Sequence, residues 1–215
     1  GAHIYIYRRL IRDPLGPTRW GRRLFIGGFL LLVSGIPLVR ILPELPGRII
    51  AFVCFGWMGF IAIVLPILAV SELARLLVGR PSRVDEQRRR TLYRGIAAFA
   101  TFGAGSAVAA GVHQALKLPT IVPVDIPLKN CPPGLAGLRI VQLSDIHFGP
   151  TIGVEFAHAL VRMVNDLKPD VVAITGDLVD GSVERLGDTV SILAGLKSRY
   201  GTFFVTGNHE YYSGV

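Results

Sequence analysis

Three clusters of polar residues in the last third of the 215-residue chain combine carboxylates, imidazoles and an amide. In chain order they hold Asp145 and His147, then Asp177 and Asp180, then Asn208 and His209. Oxygen and nitrogen ligands of this kind suit divalent metals such as Mn²⁺, Fe or Zn²⁺. A Cys-based site is excluded, because Cys54 lies in an apolar run and Cys131 in a proline-rich stretch. The residue types therefore predict a divalent metal centre.

Each cluster directly follows a segment that reads as a short buried β-strand. Strands are predicted over residues 139–144, 171–175 and 202–206, and helices over 154–167 and 190–196. The β-α-β-α-β order predicts parallel strands joined by right-handed crossovers. Ligands of such sheets bind beyond the carboxyl ends of the strands. We therefore expect the three clusters to meet at one edge of the sheet.

Each of these residues also has a structural interpretation when it is taken alone. Asp145 and Asp180 suit helix caps or turns, and Asn208 suits the turn conformation beside a glycine. Their conjunction after three successive strands favours a shared site. Glu210 and Tyr211 have two equally compatible interpretations. They line a substrate cleft, or their role is purely structural.

The three motifs, Asp-x-His, Gly-Asp-x-x-Asp and Gly-Asn-His-Glu, resemble those of the calcineurin-like metallophosphoesterase family. The resemblance covers residues 138–215 and is nearest to the membrane-attached bacterial phosphodiesterase-type branch. It implies the four-layer α/β/β/α fold of the family, of which this chain holds the β-α-β-α-β portion. It also implies hydrolysis of phosphomonoester, phosphodiester or pyrophosphate bonds, with metal-activated hydroxide attacking phosphorus at a dinuclear metal site.

The resemblance assigns roles to individual residues. Two divalent metal ions are implied, with Asp145 and His147 ligating the first, Asp177 bridging both and Asn208 ligating the second. His209 is implied as the catalytic group above the phosphate, and Asp180 as the residue that orients His209. The family pattern continues with a further His and a Gly-His-x-His motif, and no histidine follows His209. We therefore expect a truncated domain that belongs to a longer protein, and a chain that alone binds metal weakly and is close to inactive.

The first 118 residues contain three long apolar runs, at 24–42, 49–70 and 95–116. About 20 apolar residues span a bilayer core, so the runs predict three transmembrane helices. A re-entrant hairpin formed by the first two runs is the main alternative. Only 18% of the chain is charged, against roughly a quarter in soluble domains, which excludes an ordinary soluble protein. Residues 119–137 contain five prolines and predict an extended linker.

The net charge of +8 is unevenly distributed. Residues 1–94 contain 15 Arg, no Lys and 5 acidic residues, whereas residues 139–215 contain 6 basic and 9 acidic residues. Because the arginines flank apolar runs and the C-terminal region is acidic, nucleic-acid binding is excluded. The positive-inside rule predicts a multi-pass membrane protein with a cytoplasmic N-terminus. The resemblance to the bacterial branch implies that this membrane is the bacterial cell membrane. The phosphoesterase region then lies on the extracytoplasmic side.

Two features of the third run allow further interpretations. Gly103, Ala107 and Gly111 are spaced four apart, which would let another helix approach closely. Arg89 and Arg90 precede the run in the manner of a twin-arginine export signal. Taken together, the sequence predicts a membrane-anchored phosphoesterase acting on a phosphate ester, with a lipid-linked or envelope substrate suggested by its attachment to the bilayer. The alternative is a non-catalytic membrane assembly or sensor component with an incomplete phosphoesterase-like domain.

Overall fold

The N-terminal unit of the protein, Gly1–Ala115, is built on three long helices. A computed structural model describes residues 1–42, 44–78 and 86–214, and places α3 at Arg19–Ile41, α4 at Glu44–Val78 and α5 at Glu86–Ala115. By length and composition each of the three helices could cross a membrane. The prediction of three apolar N-terminal helices is confirmed. At 1.5 Å per residue α4 is about 50 Å long, so it extends beyond a bilayer core of about 30 Å.

A short helical segment precedes these helices and was not anticipated from the sequence. It consists of α1 (Ala2–Tyr7), a π-helical stretch (Arg8–Arg12) and α2 (Asp13–Leu15). Its apolar residues Ile6 and Leu10 are buried in a cluster with residues of α3, α4 and α5. The segment therefore forms part of the core of the N-terminal unit.

Charged residues join this segment to α4 and α5. Arg9 pairs with Asp13 at 3.1 Å and also with Glu72 of α4, which in turn pairs with Arg75 at 3.1 Å. The guanidinium groups of Arg9 and Arg75 lie 5.2 and 5.4 Å from the ring centroid of Tyr93 on α5. Cation–π contacts and ion pairs therefore link three elements at the arginine-rich end of the helices.

The small residues of α5 that pack inside this chain differ from those that the sequence suggested. Ala97, Ala100 and Ala104 are buried in the cluster shared with α4. By contrast, a Cβ atom at Gly103 or Gly111 would meet nothing within 4 Å. The Gly103–Ala107–Gly111 face is therefore open in this chain, and its association with another helix stays a prediction.

The C-terminal unit, Leu116–Val215, contains a parallel three-stranded sheet in the order β1-β2-β3. The strands are β1 (Ile140–Leu143), β2 (Val171–Thr175) and β3 (Thr202–Val205). Their register aligns Leu143 with Ile174, and Ile174 with Phe204. The predicted strands and their parallel arrangement are confirmed.

Helix α6 (Val154–Asp166) covers one face of this sheet. Its residues Ala157, Leu160 and Val164 are buried at helical spacing, together with Leu143 and Val172 of the sheet. Apolar burial at this spacing is the usual driving force for such a helix. The core of the unit lies between α6 and the sheet, and the polar loops at the carboxyl ends of the strands lie outside it.

The second helix of the unit was predicted at the wrong residues. The sequence predicts a helix over 190–196, whereas the structure has α7 at Val183–Ser191, a 3₁₀ turn at Ile192–Gly195, and a final short helix α8 at Asn208–Ser213. α7 begins after Ser182, whose hydroxyl donates to Glu184 at 3.1 Å. Most residues of α7 are polar. The apolar pattern on which the prediction was based therefore covers only the last turn of α7 and the 3₁₀ turn that follows it.

Close packing between α3 and α4 gives a test of the N-terminal unit. A Cβ at Gly28 would overlap the indole of Trp57, which is also held by a hydrogen bond from its Nε1 to His3 Nε2 at 3.1 Å. We expect Gly28→Ala to destabilise the unit by about 1–3 kcal/mol through overpacking. Gly27→Ala is the matched control, because a Cβ at Gly27 meets nothing within 4 Å. Thermal melting of both variants in detergent would contradict the α3–α4 packing if they melted alike.

Candidate metal centre

The loops that follow β1 and β2 continue the pairing of the two strands. The His147 N–H donates to the Asp177 carbonyl at 3.0 Å, and the Phe148 N–H donates to the Leu178 carbonyl at 2.8 Å. In return the Asp180 N–H donates to the Phe148 carbonyl at 2.8 Å. These backbone hydrogen bonds hold the first two polar clusters side by side, as the parallel-sheet argument predicted.

The candidate ligands in these loops have unusual backbone conformations. Asp145, His147 and Asp177 have φ values of 56°, 52° and 51°, in the left-handed region. Among the residues that the structure describes, Lys168 is the only other non-glycine residue with a positive φ. Such conformations cost on the order of 1–3 kcal/mol each and cluster at functional sites. Three of these four residues are ones that the sequence assigned to metal binding, so the backbone strain is concentrated at candidate ligand positions.

Asp145, His147 and Asp177 form one group that could hold a metal ion. One ligand atom of each residue lies within 4.8 Å of the others. Asp145 is exposed, whereas His147 and Asp177 are half-buried. Carboxylates and imidazoles are ligands that divalent cations accept, and at this separation one cation could contact all three residues.

A second group is centred on the carboxylate of Asp180. Its Oδ1 lies 3.1 Å from Nδ1 of His147 and 2.5 Å from Nδ1 of His209. A carboxylate accepts hydrogen bonds, so an Nδ1–H of either ring can donate to Asp180, and Nε2 then lies on the far side of the ring from this carboxylate. A histidine held this way by a carboxylate is typical of metal sites. The two imidazole rings meet edge to face, with centroids 4.4 Å apart.

The third cluster is held in place by Glu210, which the sequence left between two interpretations. Glu210 is only 2% exposed, and its carboxylate accepts four backbone N–H groups. Oε1 accepts from Leu178 at 2.6 Å and from Val179 at 3.2 Å, and Oε2 accepts from Gly207 at 2.6 Å and from Asp177 at 3.0 Å. Glu210 is thus a structural tie between the β2 and β3 loops and does not line a cleft.

One signal in the sequence could have revealed this role. Glu210 is the third residue of α8 after the N-cap Gly207, and a Glu at this position commonly reaches back to the N-cap N–H. The capping bond from Gly207 is present, and the same carboxylate reaches the neighbouring loop as well.

The environment of Glu210 favours its ionised form. Burial is the largest single influence and would raise the pKa of Glu210, but the four N–H donors together outweigh it and lower the pKa from the ordinary 4.5. A lowered carboxyl pKa means that the stabilisation is complete at neutral pH. It is lost only as the pH falls below 4.5 and through the lowered pKa of the folded state.

Two glycines allow the loops after β2 and β3 to touch. A Cβ at Gly176, which has a φ of 85°, would lie 2.5 Å from the backbone nitrogen of Gly207. A Cβ at Gly207 would overlap the carboxylate of Asp177. That carboxylate also accepts the backbone N–H of His209 at 3.0 Å. Glycine is therefore required at both positions for Asp177 and His209 to adjoin.

The structure brings together five of the six residues that the sequence assigned to the site, and the sixth, Asn208, is the chain neighbour of His209. The two groups share His147, and contain Asp145, Asp177, Asp180 and His209 besides. Asn208 is exposed and is the first residue of α8. Its neighbours in the chain are fixed by the carboxylates of Glu210 and Asp177. The individual roles of the six residues stay predictions.

The tie formed by Glu210 can be tested by hydrogen exchange. In Glu210→Gln an amide NH₂ replaces one of the two accepting oxygens, and the charge that strengthens all four bonds is lost. We expect a loss of about 3 kcal/mol in local stability, which is roughly 100-fold faster exchange of the amides of residues 177–179 and 207. The measurement is made by mass spectrometry in EDTA, so that metal binding cannot mask the effect.

Glu184→Gln is the matched control for this experiment. Glu184 is an exposed residue of α7 that accepts a hydrogen bond from the Ser182 hydroxyl. Its variant should leave exchange at residues 177–179 unchanged. Equal exchange in the Glu210 and Glu184 variants would show that the β2 loop does not depend on Glu210.

Comparison with known proteins agrees with this geometry. Residues 138–215 match the family model described as calcineurin-like phosphoesterase, which confirms the resemblance carried by the three motifs. Two relatives are described as "Transmembrane protein with metallophosphoesterase domain". The one from Bos taurus is 36% identical over 200 residues, covering 89% of this chain and 44% of the relative. The one from Danio rerio is 35% identical over 223 residues, covering 98% of this chain and 50% of the relative.

A further relative, UDP-2,3-diacylglucosamine pyrophosphatase LpxG of Chlamydia muridarum, is similar over a shorter stretch. It is 37% identical over 78 residues, which cover 36% of this chain and 24% of the relative. No solved structure gives a significant match. The chain spans about half the length of the two transmembrane relatives that it matches over most of its own length.

Proposed function

We propose that the C-terminal unit, whose residues 138–215 match the calcineurin-like phosphoesterase family, hydrolyses a phosphate ester with the help of divalent metal ions. The observation that carries the proposal is the approach of Asp145, His147 and Asp177, whose ligand atoms lie within 4.8 Å of one another. This donor set at the carboxyl edge of a parallel sheet fits Mn²⁺, Fe or Zn²⁺. Membrane helices in the same chain make the protein a membrane-attached enzyme.

We propose a pair of ions at this edge. Asp145 and His147 would hold the first ion, Asp177 would contribute to both, and Asn208 would hold the second through its amide oxygen. Divalent metals in such sites stabilise charge on phosphoryl oxygens and make water nucleophilic near neutral pH. The contacts that support this assignment are the Glu210 bonds to both loops, because they fix Asp177 relative to the residues beside Asn208.

His209 would act on the leaving group of the substrate. Its Nδ1 is directed at the Asp180 carboxylate, so its Nε2 is left to face a bound phosphate ester. When both nitrogens are protonated, Nε2–H can donate its proton to the departing oxygen as that oxygen gains negative charge. The adjacent Asp180 carboxylate would stabilise the positive imidazolium and keep the ring in this orientation. The product alcohol or phosphate then leaves with the proton from His209.

The membrane helices favour a substrate at the bilayer surface. We propose a lipid-linked or envelope phosphate ester or pyrophosphate. The relative LpxG supports this class, because its name describes a pyrophosphatase of a diacylated nucleotide sugar.

We further propose a multi-pass arrangement in a bacterial cell membrane with the N-terminus in the cytoplasm. The arginines that precede α3 and those between α4 and α5 support it, since positive residues are retained on the cytoplasmic side. Three spans then place the phosphoesterase unit on the other side. Shorter matches to relatives from the bacteria Campylobacter jejuni and Helicobacter pylori support the bacterial part of the proposal, whereas the two relatives that match most of the chain are from animals.

Phosphoesterase activity is tested in the protein translated from the complete reading frame that contains these 215 residues. We expect Mn²⁺-dependent hydrolysis of bis-p-nitrophenyl phosphate, and a loss of at least about 100-fold in Asp177→Asn, because a carboxylate shared by the metal ions is removed. Asp188→Asn is the matched control, since Asp188 is an exposed residue of α7. A folded full-length protein without metal or turnover would instead favour the non-catalytic membrane component.

Orientation is tested with the native cysteines. Cys131 follows the predicted spans and is half-buried, whereas Cys54 is buried in α4. We expect a membrane-impermeant maleimide to label Cys131 in intact cells whose outer barrier is permeable to the reagent. In a Cys131→Ser background, Leu15→Cys, at an exposed position among the N-terminal arginines, should react only after the inner membrane is opened. The reverse pattern would contradict the proposed orientation.

A further inference from the structure

Tyr212 is an exposed aromatic residue directly beside the candidate metal centre. Its ring meets the ring of His209 edge to face, with centroids 5.7 Å apart. The His209 ring in turn meets the ring of His147, with centroids 4.4 Å apart. The three rings therefore form a series. It leads from a candidate metal ligand, through the residue proposed to act on the leaving group, to Tyr212.

Helical spacing places Tyr212 on the same side of α8 as the two site residues of that helix. Successive residues of an α-helix are rotated by about 100°, so Tyr212 lies about 40° from Asn208 and about 60° from His209, between the two. Glu210 lies about 160° from Tyr212, on the side of α8 that is tied to the β2 loop. Tyr212 therefore projects one turn beyond the site residues, on the side of α8 that faces away from this tie.

The surface of the Tyr212 ring is accessible to a ligand. Tyr212 is 80% exposed, although its ring contacts His209. Its neighbour Tyr211 differs, because the Tyr211 hydroxyl accepts a hydrogen bond from Thr206 Oγ1 at 3.3 Å. Tyr211 is thus bound to the loop before α8, whereas Tyr212 presents an aromatic ring at the rim of the site.

The position of Tyr212 corresponds to the leaving-group side of a bound phosphate ester. In an in-line displacement the leaving oxygen departs opposite the attacking hydroxide, and His209 is the residue proposed to protonate it. A group attached to that oxygen would lie next to His209, where the Tyr212 ring is exposed. Aromatic side chains stack on planar rings, and the contact requires no specific polar partner.

We propose that Tyr212 binds the leaving group of the substrate by stacking against a planar ring attached to the departing oxygen. This inference rests on the proposed hydrolase activity and deepens it, because it names the class of leaving group. The bond that breaks is the P–O bond to that oxygen, which leaves with the proton from His209. Tyr212 transfers no proton and contributes only binding.

The proposal is tested by steady-state kinetics, with Mn²⁺, of the protein translated from the complete reading frame that contains these 215 residues. The substrate is methyl p-nitrophenyl phosphate, whose aromatic ring is on the leaving group. We expect Tyr212→Ala to raise KM about fivefold through the lost ring contact. The kcat should change less than about twofold, because the contact is made equally in the ground and transition states. Tyr212→Phe should keep the wild-type KM, since it keeps the ring.

Tyr200→Ala is the matched control. Tyr200 is also exposed, but it precedes β3 and so lies at the opposite edge of the sheet from the site. This variant should keep the wild-type KM. An unchanged KM in Tyr212→Ala, or an equal rise in the two alanine variants, would overturn the proposal and leave the hydrolase activity standing. A folded wild-type protein without turnover would overturn both.

A binding measurement separates recognition of the ring from turnover. Phenylphosphonate and methylphosphonate have no ester bond to hydrolyse and differ in whether they carry a ring. In calorimetric titrations with Mn²⁺ present, we expect Tyr212→Ala to weaken phenylphosphonate about fivefold and to leave methylphosphonate unchanged. Tyr212→Leu, which also lacks the aromatic ring, replaces the alanine variant if that variant does not fold. Equal weakening of the two ligands would show a disturbed phosphate site without a ring contact, and would overturn the proposal.

Discussion

The Glu210 carboxylate, with four backbone N–H groups converging on it, is the interaction on which the candidate site depends. It joins the loop after β2 to the start of α8, which follows the neighbouring strand β3. These two segments are also linked by the His209 N–H bond to Asp177 and by the contact between His209 and Asp180. Since the donors are backbone groups, the bonds fix the course of both loops and not merely a side chain. Asp177 is therefore held at two points. Its backbone N–H donates to Glu210, and its carboxylate accepts the backbone N–H of His209.

This arrangement explains why the residues of the candidate metal centre lie close together without being enclosed by a large hydrophobic core. The backbone conformations with positive φ at Asp145, His147 and Asp177 are strained, and the paired loops and the Glu210 bonds offset that strain. Gly176 and Gly207 remove the side chains that would keep the loops apart. The site is thus built largely from backbone hydrogen bonds at the edge of a small parallel sheet, with side chains free to face a substrate.

The sequence predicted the convergence of the site because the polar clusters each follow an apolar strand, and parallel strands end at one edge. It did not predict the full role of Glu210. The capping bond to Gly207 has a sequence signature, but the bonds to the backbone N–H groups of the β2 loop leave no trace in residue types. The polar helix α7 was misplaced for a related reason, since it buries few apolar residues. Small residues recur on two faces of α5, so their spacing alone could not show which face packs against the rest of the chain. The buried face is the one that carries Ala97, Ala100 and Ala104. Packing complementarity with α4 decides that choice.

The measurement that most directly tests the account is anomalous X-ray scattering from crystals, grown with Mn²⁺, of the protein translated from the complete reading frame that contains these 215 residues. The account predicts a manganese peak about 2.0–2.3 Å from a side-chain ligand atom of each of Asp145, His147 and Asp177. It also predicts that the Glu210 carboxylate stays bound to the loop backbones and does not contact the metal. A fully occupied manganese ion elsewhere, with these three residues unliganded, would contradict the central claim that the loops after the three strands form a metal centre.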